Sequence, residues 1–283
     1  MNDFKEWLKQ NQYSPTSIRE HLKNLEYIEN WSTPEAIALD QLRYQDIMSY
    51  VQSCKHQIQP QTITNRINSL RKYYEYQQEQ ELRADNPAKL IRLKNTKRKT
   101  IKTILKPEEL EQLYTVYCSS NRQGAEHSRN KVILGLLIWQ GIDTTTLKTL
   151  KTQDIDLENG TIYLPSSTRV NARNMTLHSK QILPINSYLE KWRAQLDPQD
   201  NELVTGNISN VLNWLKTILQ KQHNPLENIR QIRASVITHW LNQYNIRQVQ
   251  YMAGHRHINS TEEYKQIDLE SMKTALKKFH PFS

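Results

Sequence analysis

The sequence predicts a mainly α-helical protein of two domains carrying one small three-stranded antiparallel sheet. Three observations predict it. Apolar residues recur at helical spacing through most of the chain. Only residues 154–157, 160–164 and 174–177 read as short strands, joined by turn residues at Glu158-Asn159-Gly160 and by the stretch 166–173. A polar, basic run over residues 92–106 interrupts the pattern without an apolar stripe of its own. At 283 residues the chain is long for one core and comfortable for two. The expected division is a helical domain over 1–95, a linker over 96–106 and a larger domain over 107–283.

In the first domain, Ser14-Pro15 reads as an N-cap with proline at the first helical position, followed by Ile18, Leu22, Leu25 and Ile28 at helical spacing. Residues 42–51 give another helix. Residues 62–76 give a further one, with Ile63, Ile67, Leu70 and Tyr74 inward and Arg66, Arg71 and Lys72 outward. The run over residues 92–106 holds seven basic residues and no acid, among them Lys97, Arg98, Lys99 and Lys102. Such a run suits a phosphate backbone as well as it suits a solvated tether. In the second domain Pro107-Glu-Glu places acids in a first helical turn, residues 127–139 form a buried helix ended by Gly141, and threonines cap the element after Asp143. Further helices are expected from Pro184, Ile208, Asn228 and Ile246.

Charge and composition narrow the function. Lys+Arg 38 against Asp+Glu 29 gives a net charge of +9, which favours a polyanionic partner. The longest apolar run, residues 132–139, is far short of a membrane span, and the first residues show no apolar signal region, so a cytoplasmic, nucleoid-associated protein is expected. Cys54 and Cys118 stand apart from any second cysteine or histidine pair, which argues against a disulfide framework or a zinc site.

The chemistry is concentrated between Asn228 and Gln266. Arg230 and Arg233 are three apart, on one face of a helix whose Ile229, Ile232, Val236 and Trp240 form the neighbouring apolar stripe. Gly254 ends the next helical run, His255 follows it, and Tyr264 stands nine residues beyond the histidine. Guanidinium groups and an imidazole that hold a phosphate beside a phenol make a phosphoryl-transfer site with tyrosine as nucleophile.

This arrangement resembles the tyrosine recombinase, or phage integrase, family, whose signature is His-x-x-Arg, then Gly-His, then a tyrosine nine residues on. Arg233, His255 and Tyr264 match in type, order and spacing, and Arg230 stands in place of the first histidine. The resemblance covers essentially the whole chain. It implies an N-terminal helical SAM-like core-binding domain that clamps DNA, with Arg66, Arg71, Lys72 and the linker cations as contacts, and a tyrosine recombinase catalytic domain. It implies cleavage and rejoining of double-stranded DNA through a 3′-phosphotyrosyl link, with no cofactor, by a homo-oligomer of four protomers on two sites. The C-terminal residues 269–282 are a candidate link between protomers.

Two departures stand out. The family's Gly-Leu-Arg-x-x-Glu-Leu segment is here Gly141-Ile-Asp-Thr-Thr-Thr-Leu147, so Asp143 replaces an arginine and Thr146 a glutamate. The hairpin lysine is absent as well, and Arg169 and Arg173 are the only cations in that hairpin. Either Arg173 supplies the missing charge, with Arg169 near the leaving group, or the chain is a catalytically impaired DNA-binding accessory protein of recombinase fold. Asp143 itself must turn away from the phosphate if cleavage is to proceed.

Overall fold

The computed structural model describes residues 1–93, 103–167, 170–196, 201–221 and 226–265. Lys97, Arg98, Lys99, Lys102, Arg169 and the C-terminal residues 269–282 lie outside them. The chain divides into two compact units, Met1–Thr100 and Ile101–Ser283.

The first unit contains α1 (Asn2–Gln10), α2 (Pro15–Ser32), α3 (Tyr44–Cys54) and α4 (Pro60–Glu79). Ser14 caps α2 by accepting from the Ser17 backbone N–H at 3.2 Å, and Pro15 sits at the first helical position. Ile63, Ile67, Leu70 and Tyr74 are buried together with Phe4, Leu25, Ile28 and Ile47. The three cations expected to point outward from α4 are instead half-buried and engaged at their head groups. Arg66 donates to Tyr50 Oη at 2.8 Å and lies over the Tyr27 ring; Arg71 donates to the carbonyls of Ala88 and Ile91; Lys72 pairs with Glu75. Arg71 thereby ties the end of the unit to α4, a role that spacing within α4 does not reveal.

The second unit opens with α5 (Pro107–Cys118), α6 (Ala125–Trp139) and α7 (Thr144–Thr149). The sheet follows: β1 (Ile155–Asp156), β2 (Thr161–Leu164) and β3 (Arg173–Thr176), antiparallel in the order β1-β2-β3, with Leu164 opposite Arg173. Next come α8 (Ser179–Ser187), a π-helical turn over Tyr188–Trp192, α9 (Ile208–Lys221), α10 (Ile229–Gln243) and α11 (Ile246–Ala253). Residues 259–265 are helical again. The buried face of α6 meets α9 and α10 in one core that includes Leu134, Leu137, Leu215, Ile232 and Ile237.

Two local expectations are corrected. The helix predicted from Pro184 begins earlier, at Ser179, and carries the proline inside it. Proline has no N–H to give the carbonyl four residues back, and that carbonyl, Lys180 O, is taken by the Tyr114 hydroxyl at 3.2 Å. The cap of α7 is Asp143 rather than a threonine: its Oδ1 accepts from the Thr146 N–H at 2.8 Å.

Candidate active site

Four side chains named from the sequence converge where the C-terminal ends of α6 and α11 meet the N-terminal half of α10. Arg233 projects from α10 and donates through Nη1 to the carbonyl of Gly141 and through Nη2 to that of Ala253 at 2.8 Å. Gly141 has φ +52, which keeps its carbonyl within reach, and a Cβ there would sit 3.1 Å from Trp240 and Val236. Two loop carbonyls therefore fix the guanidinium in place before any substrate arrives. Arg233 Nη2 also stands 3.3 Å from His255 Nε2.

His255 follows Gly254, whose left-handed conformation at φ +73 ends α11. Its Nδ1 lies 2.9 Å from Thr261 Oγ1, and its ring stacks on Tyr264 with centroids 5.8 Å apart. Burial first, then the Arg233 and Arg173 charges, push its pKa down to about 4. The ring is neutral at physiological pH. Tyr264 sits partly buried on the 259–265 helical segment, and its hydroxyl has no hydrogen-bond partner among the described residues.

Arg173 enters from the first position of β3 and is 2% exposed. Its Nε donates to Met252 O at 2.7 Å and its Nη1 to Asn171 O at 3.4 Å, while Nη2 is buried without a partner. The hairpin that carries it is docked onto the segment after α11. Asn171 N donates to Gly254 O at 2.8 Å, Val170 bridges His255, and Arg256 donates to Ser167 O. Burial first and the Arg233 charge second push the Arg173 pKa down to about 10, with Asp143 opposing the shift. Arg173 remains a cation, and neither it nor Arg233 forms an ion pair among the described residues. Asp143 is half-buried, with one oxygen committed to its helix cap.

Arg230 shares α10 with Arg233 but is exposed and contacts none of the other three. It stands in the first turn of α10, where Asn228 caps the helix through the Gln231 N–H. Two contributors were not legible from spacing. Thr261 is fully buried against His255, and Gly254, beyond ending α11, leaves the space that Arg173 Nη1 occupies. Tyr251 adds a third contact, accepting at Oη from the Asn174 N–H at 3.2 Å.

Guanidinium groups without carboxylate partners, beside a neutral imidazole and a phenol, can hold an oxyanion next to a nucleophile. The chain belongs to the phage integrase family, the tyrosine recombinases: the family profile matches residues 103–270, and the family's N-terminal SAM-like domain matches residues 1–81. It is 25% identical to tyrosine recombinase XerC of Oceanobacillus iheyensis, over 95% of this chain and 91% of that protein. It is 24% identical to tyrosine recombinase XerC of Bacillus subtilis, over 98% and 95%. Among solved structures, the fold is shared with the Tn1549 transposon integrase in complex with transposon right end DNA, at TM-score 0.69 and 14% identity over 98% of each chain. It is shared as well with XerH site-specific recombinase bound to difH substrate, at TM-score 0.63 and 18% identity over 90% of this chain and 78% of that one. Among the described residues, no helix is long and apolar enough to cross a membrane.

Proposed function

We propose that this chain is a site-specific DNA recombinase that cleaves and rejoins DNA strands through Tyr264. The observation that carries the reading is the convergence of Arg233, Arg173, His255 and Tyr264 on one site, although the residues come from three separate stretches of sequence. A phosphodiester repels nucleophiles by its own charge, and attack adds charge to the nonbridging oxygens. Arg233, pinned by two carbonyls, is preorganised to meet that charge. Arg173 supplies a second guanidinium charge from the hairpin, in place of the arginine that Asp143 replaces; its Nη2 is unpaired but buried, so a phosphate oxygen bonds it only once the covering groups move aside.

In the proposed reaction the Tyr264 phenolic oxygen attacks the scissile phosphorus. A 3′-phosphotyrosyl bond forms and the 5′-oxygen leaves as a hydroxyl. A 5′-hydroxyl from a partner strand then attacks the phosphotyrosyl bond, restores the phosphodiester and frees Tyr264. The free energy of the phosphodiester is conserved, so the scheme draws on no nucleotide cofactor. One oxygen of Asp143 is held on the α7 N-terminus, which fixes the carboxylate there, while its charge still acts on Arg173 and His255.

Double-stranded DNA is the proposed partner, and exchange of two duplexes calls for four protomers on two sites. Arg230, exposed in the first turn of α10, is positioned for a backbone phosphate beside the reacting one. In the N-terminal unit Arg66, Arg71 and Lys72 are the proposed DNA contacts, each exchanging for a phosphate the partner it holds here, Tyr50, the Ala88 and Ile91 carbonyls, and Glu75 respectively. A nicked suicide duplex tests the reading. The wild-type chain leaves an SDS-resistant protein–DNA adduct, and Tyr264→Phe leaves none while binding DNA as before.

A further inference from the structure

His255 is bonded at both ring nitrogens, and the two bonds are not interchangeable. A guanidinium only donates, so the 3.3 Å contact from Arg233 Nη2 makes His255 Nε2 the acceptor. A neutral imidazole has one proton, which then belongs to Nδ1 and is donated to Thr261 Oγ1 at 2.9 Å. The opposite tautomer would set two N–H donors against each other at Nε2 and leave Nδ1 facing the hydroxyl as an acceptor. Thr261 is fully buried, and it precedes Tyr264 by three residues, on the same face of the 259–265 helical segment. One hydroxyl therefore touches the histidine and rides on the turn that presents the phenol.

We infer that Thr261 is a positioning residue for strand cleavage: Arg233 sets the Nδ1–H tautomer of His255, and Thr261 accepts that N–H, which holds the ring with the Nε2 lone pair toward Arg233 and the reacting phosphate and ties it to the turn carrying Tyr264. The inference rests on the reading of Tyr264 as nucleophile. Nε2 is then the only ring atom able to take up a proton within the site, and on doing so it becomes a donor to a phosphate oxygen while Nδ1–H stays on Thr261. Orienting partners of this kind, one bond behind a reacting imidazole, contribute roughly 10- to 100-fold to activity where they have been removed.

The test uses the full-length chain labelled with ¹⁵N-histidine, free of DNA and near neutral pH, with the His255 signals assigned by their loss in His255→Asn. The wild type and Thr261→Ser show an unprotonated Nε2 and a protonated Nδ1 whose N–H is hydrogen-bonded and exchanges slowly with solvent, and Thr261→Val, which keeps the shape and loses the acceptor, shows an Nδ1–H without that bond. On the suicide duplex at saturating DNA, Thr261→Val cleaves roughly 10-fold or more slowly with unchanged affinity, and Thr261→Ser, which retains the hydroxyl, stays within about two-fold of wild type. A wild-type spectrum with the proton on Nε2 overturns the inference, and so does a valine variant whose Nδ1–H signal and cleavage rate match the wild type. The wild-type spectrum decides alone if the valine variant does not fold. Absence of adduct from the wild type strikes the reading of Tyr264, and the Nδ1–H comparison still decides the part played by Thr261.

Discussion

Substituting Gly254 by alanine tests whether Arg173 is seated by the turn that precedes His255. A Cβ at Gly254 would lie 2.3 Å from Arg173 Nη1, 2.9 Å from its Cζ and 3.2 Å from Asn171 O, so the guanidinium must leave its socket. The backbone at φ +73 adds about 1 kcal/mol of strain for any residue with a Cβ. Losing the charge-assisted bonds to Met252 O and Asn171 O adds roughly 2 kcal/mol. The total, about 3 kcal/mol, corresponds to a fall of roughly 6–12 °C in Tm for a unit of this size. In an Arg173→Ala background the conflict with the guanidinium is absent and the strain and the 3.2 Å approach to Asn171 O remain, so the same substitution lowers Tm less, by roughly 2–4 °C. Thermal unfolding of the four proteins of this cycle gives the coupling directly. An equal loss in both backgrounds would refute the seating of Arg173 by Gly254 and reduce the glycine to a helix terminator.

Three further outcomes are expected. Arg233→Ala slows cleavage at saturating DNA by roughly 100-fold or more, and Arg173→Ala does so to a comparable degree with little change in affinity; normal cleavage by the Arg173 variant would return the missing charge to some other group. Stability falls with acid: His127 and His255, both pushed down to about 4 chiefly by burial, are bound neutral by the folded state while the unfolded chain protonates near 6.5, so their contribution is complete above that pH and is lost between about 6.5 and 4. The loss reaches at most about 3 kcal/mol for each ring, and a flat denaturation midpoint across that window would contradict the burial of both rings. Tyr114→Phe leaves Lys180 O without the donor that Pro184 cannot supply and destabilises by about 1 kcal/mol; chemical denaturation checks it, and an unchanged midpoint would mean that α8 tolerates its proline unaided.

Much of the fold was legible because the signals are local. The stripe Ile63, Ile67, Leu70 and Tyr74 lies in the first core, and Ile232, Val236 and Trp240 lie in the second, as their spacing required. The first two strands fall within the predicted stretches and the third, Arg173–Thr176, begins one residue ahead of its own, because turn residues bracket them. What could not be read depends on partners distant in sequence. The start of α8 at Ser179 needs Tyr114, and the burial of Arg173 needs Met252 and Gly254. Arg71 looks like a surface cation until the carbonyls of Ala88 and Ile91 are seen to hold it. Thr261 stood in plain view three residues before Tyr264, but its part depends on how the chain turns at Gly254 to bring His255 back onto that helical segment. Asp143 was read as a threat to the site, and its use as a cap follows from the short helix that begins beside it.

The central claim is that this site, lacking the first arginine of its family's pattern, still joins Tyr264 to DNA. Incubating the full chain with a nicked suicide duplex in EDTA, followed by denaturing electrophoresis and mapping of the DNA-linked peptide, measures it directly. The account predicts an adduct at Tyr264 that forms without divalent metal and disappears in Tyr264→Phe. A chain that binds the duplex and leaves no adduct, or an adduct that persists in Tyr264→Phe, would contradict it.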